Sequence, residues 1–78
     1  MDHFDIQASV LSVLEAVLKC PVGPDSSRAN TPVWDSLKHI EIVFAVEEEL
    51  GIEFSEEDMA KLNSVARIVD LAAARHAA

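Results

Sequence analysis

Between Lys19 and Trp34 the chain carries Pro21, Gly23, Pro24, Asp25, Asn30 and Pro32, a density of turn-forming residues that no helix or strand crosses intact. This stretch divides the sequence into a short amphipathic block and a longer one. In the first block Ile6, Val10, Val13, Leu14 and Val17 recur at helical spacing between Asp5 and Leu18, which gives a first helix one apolar face. At about sixteen residues the loop exceeds the usual connection, and such loops are commonly functional or packed as compact units. Val22 and Val33 are its candidates for pinning to the core.

A second helix is expected from Asp35 or Ser36 to Leu50, with Gly51 at the following position, where a left-handed backbone is needed. Its apolar residues, read as Leu37, Ile40, Val43, Phe44, Val46 and Leu50, spread over about half of the circumference. Glu41, Glu48 and Glu49 fall on the opposite face with Lys38 and Ala45, and Glu47 sits at the rim. Ser55-Glu56-Glu57-Asp58 has the form of a capping box with Asp at the third position, opening a short helix that reaches Leu62. Asn63 or Ser64 then caps a fourth helix, with Val65, Ile68, Val69, Leu71 and Ala72 inward and Arg75 and His76 near its negative end. There is no internal repeat and no sustained strand alternation. The reading is an all-α four-helix bundle with three longer helices, one short third helix and a long first loop, as a single domain over 1–78.

Composition narrows the function. Half of the 78 residues are apolar, with one Trp, three Phe and no Tyr, so the core is mostly aliphatic. One cysteine, Cys20, rules out an internal disulfide, and Cys20, His3, His39 and His76 lack zinc-ligand spacing, so no metal site is expected. No apolar run approaches the roughly 20 residues that span a bilayer, and Met1 to Asp5 lack a basic signal-peptide start. These features point to a cytoplasmic protein that does not enter membranes. Six Lys and Arg against fourteen Asp and Glu give a net charge of −8, which repels nucleic acids and favours basic protein partners. No Ser/His/Asp or Cys/His set, paired carboxylates or Gly-rich phosphate loop can be assembled, so no catalytic residues are assigned.

Asp35-Ser36-Leu37 is the most informative triplet. A serine just inside a helix start has its hydroxyl beside unpaired backbone N–H groups, where anions are stabilised by about 0.3–1 kcal/mol when exposed. Asp35 is expected to cap the helix and Leu37 to anchor it in the core, leaving Ser36 pointing outward. His39, the nearest ionisable side chain, is expected at the surface or rim.

Trp34-Asp35-Ser36-Leu37-Lys38-His39-Ile40-Glu41, the Glu47-Glu48-Glu49 helix end, the Gly51-Ile52-Glu53-Phe54 exit and the short third helix together resemble the acyl carrier protein family over nearly the whole chain. The resemblance implies that a phosphopantetheinyl transferase moves phosphopantetheine from coenzyme A onto Ser36, with Asp35 and Leu37 completing the attachment motif. It further implies that the arm's thiol carries acyl groups as thioesters and that the carrier itself is no enzyme. Glu41, Glu48, Glu49 and Lys38 then form the face that meets acyl-transferring synthases or ligases with basic docking surfaces, the carrier acting as a monomer. Lys38 stands where carriers of primary fatty-acid synthesis usually have an acid, and Trp34 replaces a small residue. Both departures suggest a specialised fatty-acid or polyketide pathway. The alternatives are an unmodified acidic interaction module of the same fold, or a peptidyl or aminoacyl carrier, although the paired glycines typical of peptidyl carriers are absent before Asp35.

Overall fold

The computed structural model describes residues 3–77; Met1, Asp2 and Ala78, and with them the reading of the extreme N-terminus, lie outside the described residues. Four helices follow one another: α1 His3–Leu18, α2 Ser36–Leu50, α3 Glu56–Lys61 and α4 Val65–Ala77. No strand occurs among the described residues. The lengths match the expectation of three longer helices and one short one.

The first helix starts two residues before the predicted Asp5. Ile6, Val10, Leu14 and Leu18, each four residues after the last, form its buried row, with Val13 and Val17 half-buried beside it. It packs against both α2 and α4. It ends where Lys19 turns left-handed at φ 56° and donates its N–H to Glu15 O at 2.8 Å. A non-glycine residue in that conformation costs about 1 kcal/mol, and Pro21 prevents the helix from continuing.

The second helix corrects the sequence reading. Its buried residues are His39, Ile42, Val43, Val46 and Leu50, which occupy an arc of only about 100° when wound at 3.6 residues per turn. Ile42, left out of the predicted apolar face, is completely buried. Leu37, Ile40 and Phe44 were expected inside but are 70%, 44% and 59% exposed. The helix carries more apolar residues than α1 can cover, and its seat on the Ile42/Val46/Leu50 row turns the Leu37/Ile40/Phe44 row toward solvent. Gly51 adopts φ 66°, as expected of a helix terminator, and both Gly51 and Ile52 donate to Glu47 O. Glu47, at the rim as predicted, accepts the Phe54 N–H at 2.7 Å and fixes the exit from the helix.

The capping box is formed in full: Ser55 Oγ accepts from Asp58 N–H and Asp58 Oδ2 accepts from Ser55 N–H, both at 3.1 Å. Asp58 is buried, and Arg75 from the last turn of α4 closes on its carboxylate. That guanidinium, followed by the Ser55 amide, holds the Asp58 carboxyl below its ordinary value against the opposing effect of burial. At the other end of α4, Ser64 Oγ accepts the Arg67 N–H at 3.2 Å. Val65, Ile68, Val69 and Ala72 are buried, with Leu71 partly so.

The long first loop is pinned by its backbone. Arg28 N–H donates to Asn63 O and Val65 N–H to Ser26 O, each at 2.9 Å, which brings Ser27 alongside Ser64 between α3 and α4. Val22 packs partly against the core. Val33, the other expected pin, is 47% exposed. Trp34, next in sequence, enters the core in its place with only 2% of its surface exposed.

Candidate functional site

Asp35 lies outside the helix at φ −92° and ψ −175°; its Oδ1 accepts the Lys38 N–H at 2.9 Å, while its carbonyl receives the His39 N–H at 2.8 Å. This is the helix start expected from the sequence. Ser36 follows as the first helical residue and is exposed. The amides of Ser36 and Leu37 find no acceptor among the described residues. An exposed hydroxyl therefore stands beside two open N–H groups at the positive end of the helix dipole.

Leu37 does not anchor this start. The anchor is a pair the sequence reading assigned otherwise, Trp34 and His39. Trp34 Nε1–H donates to His39 Nδ1 at 3.1 Å, and His39 Nε2 lies 2.8 Å from Met59 O. The two rings stack with centroids 6.1 Å apart. An indole N–H only donates and a carbonyl only accepts, so these partners require the neutral imidazole with its proton on Nε2. His39 is thus buried rather than at the rim: it accepts the buried Trp34 indole N–H and adds a second bond to Met59 O, which also accepts the Leu62 N–H. The connection ties the residue before Asp35 through α2 to α3.

Lys38 Nζ lies 3.4 Å from Glu41 Oε2. Two of the four residues placed in the predicted docking face therefore meet one another, and the other two, Glu48 and Glu49, are exposed further along the helix. Sequence reasoning missed two features here. One is the exposed apolar row Leu37/Ile40/Phe44 on the same helix. The other is Arg28, whose Nη2 lies 3.4 Å from Ser36 Oγ; the pair stands eight positions apart across folded loop, and no local pattern signals it.

These residues can hold a phosphodiester. The hydroxyl is accessible for bonding to phosphorus, the adjacent amides are open to its oxygens, and a guanidinium stands by. Among the described residues no group of His, Cys, Asp and Glu is arranged to hold a metal ion, and no helix is long and apolar enough to cross a membrane.

The site is thus an exposed serine hydroxyl at a helix start, with a guanidinium beside it. The family model described as the phosphopantetheine attachment site matches residues 34–72, from Trp34 well into α4. An acyl carrier protein of Buchnera aphidicola subsp. Schizaphis graminum is 50% identical over 36 residues, 46% of this chain and 46% of that protein. One from Thermosynechococcus vestitus is 39% identical over 49 residues, 63% of this chain and 60% of that protein. The aligned stretches thus span about half to three-fifths of these relatives. The chain belongs to the acyl carrier protein family, whose prosthetic group is covalently attached phosphopantetheine.

Proposed function

We propose that this protein is an acyl carrier whose phosphopantetheine arm is attached to Ser36. The observation that carries the reading is the exposed Ser36 hydroxyl on a helix start rigidly set by Asp35 and by the Trp34–His39–Met59 connection. In the attachment step Ser36 Oγ bonds to the phosphorus bearing the pantetheine of coenzyme A. The phosphoanhydride bond breaks, 3′,5′-ADP leaves with the bonding pair, and the hydroxyl proton passes to a base of the transferase. Once attached, the arm supplies a thiol that holds acyl groups as thioesters. The chain's own part is to present Ser36, keep its helix start fixed and be recognised by its partners.

Recognition falls to the outer face of α2. Leu37, Ile40 and Phe44 form an apolar strip, with the acids Glu41 and Glu48 beside it and Glu49 further round the helix. Partners of matching chemistry are a phosphopantetheinyl transferase and acyl-transferring synthases or ligases that set an apolar patch within Lys and Arg side chains. The carrier works as a cytoplasmic monomer that engages them one at a time. Its pathway is a specialised fatty-acid or polyketide route. Supporting this are Lys38, a cation inside the acidic face, and Trp34, which fills the core before Asp35 where a small side chain is usual. Incubation with coenzyme A and a broad-specificity transferase, read by intact mass, tests the reading. The wild type gains one arm and Ser36→Ala gains none; an unmodified wild type would leave an acidic interaction module instead.

A further inference from the structure

Arg28 takes no part in attachment or partner recognition as proposed, yet its guanidinium reaches the Ser36 hydroxyl. Its position is set by backbone rather than by the reach of a free side chain. The Arg28 N–H is bonded to Asn63 O at 2.9 Å, Asn30 Oδ1 accepts the Ser27 N–H at 2.8 Å, and Asn30 Nδ2 donates to Asp25 O at 3.1 Å. The side chain is half-buried. In a chain with a net charge of −8, Arg28 forms no ion pair with a carboxylate among the described residues. Its guanidinium instead faces a neutral hydroxyl at 3.4 Å, a long and weak contact.

We propose that Arg28 is the clamp for the phosphodiester formed on Ser36. The proposal rests on the reading of Ser36 as the attachment residue. Asp35 already places a carboxylate at this helix start, where it occupies the Lys38 amide. A second anion on the adjacent residue is repelled by that carboxylate unless a cation offsets it. Lys38 is engaged with Glu41, which leaves Arg28. Replacing the hydroxyl by phosphodiester oxygens turns a weak contact into a charge-assisted one, roughly twice as strong as a neutral hydrogen bond. The planar fork of a guanidinium can also reach two oxygens at once.

The test compares wild type, Arg28→Gln and Arg28→Lys, each loaded from coenzyme A and checked by intact mass. Melting temperatures are measured before and after loading at low salt, with the Arg28 Nε–Hε resonance of the wild type followed in parallel. Loading raises the wild-type melting temperature by about 2–6 °C and moves the Arg28 resonance, and added salt reduces the rise. Arg28→Gln loses the rise, and Arg28→Lys keeps part of it. An equal rise in all three proteins, or an Arg28 resonance unmoved by loading, overturns the clamp and leaves Ser36 as the attachment site. Should Arg28→Gln resist loading, the wild-type resonance alone decides. A wild type that gains no mass overturns both readings.

Discussion

At the start of α3 a serine, an aspartate and a distant arginine close on one another, while at the start of α2 the same three residue types stay open. Ser55 and Asp58 exchange hydrogen bonds, and Arg75 arrives from α4 to neutralise the buried carboxylate. At α2, Asp35 caps the helix, Ser36 keeps an exposed hydroxyl outside the capping bonds, and Arg28 arrives from the loop to face it without a charge to pair with. The difference lies in where the serine stands. Ser55 is itself the cap, and its Oγ and amide are both used in a reciprocal box with Asp58; at α2 Asp35 is the cap, so Ser36, at the first helical position, keeps its hydroxyl out of the capping bonds. A helix start closed by its own chain is a structural joint, and one left open with a cation beside it is prepared to take an anion.

The largest stability effect is expected at the connection that fixes the open start without using Ser36. His39→Ala leaves the buried Trp34 indole N–H unpaired, takes one of two donors from Met59 O and removes packing. It should lower unfolding free energy by about 2–4 kcal/mol, read by urea denaturation. A loss below about 0.5 kcal/mol, the range of ordinary surface changes, would show that the helix start is held by something else.

A smaller effect, and a dependence on pH, belongs to the closed start. The Asp58 carboxyl is held below its ordinary 3.8, chiefly by Arg75. A depressed carboxylate stabilises the fold fully above that ordinary value, and the contribution disappears as pH falls through the lowered folded value. Arg75→Gln should therefore be less stable than wild type at neutral pH, and the gap should shrink as both are acidified below 3.8. A gap unchanged down to about pH 2 would mean that Arg75 acts through packing and not through the carboxylate.

The smallest effect marks the other side of the comparison. Arg28→Gln in the unloaded protein should change stability by no more than about 0.5 kcal/mol, since its partner is an exposed neutral hydroxyl. If Arg28→Gln destabilised the unloaded chain as much as Arg75→Gln does, the two helix starts would be the same kind of joint and the contrast would fail.

What could be read in the sequence was the chemistry confined to one turn. The Asp35 cap, the Ser55–Asp58 box, the terminating Gly51 and the Ser64 cap each depend on residues within three or four positions, and each is present. What could not be read depends on where a helix lands. Two apolar rows run along α2, and periodicity alone does not say which one α1 covers; the 3–4–4 spacing of His39, Ile42, Val46 and Leu50 was the available clue. His39 looked like a surface residue because its partners are five and twenty residues away. Arg28 meets Ser36 only after the loop has folded back on the α3–α4 junction.

The central claim concerns one hydroxyl out of several, and site mapping tests it directly. Protein loaded from coenzyme A is digested, and the peptide bearing the arm is sequenced by mass spectrometry. All of the added mass should lie on Ser36, and Ser36→Ala should carry none. Modification of Ser55 in its closed box, of Ser26 or Ser27 in the loop, or an arm that persists in Ser36→Ala would contradict the account.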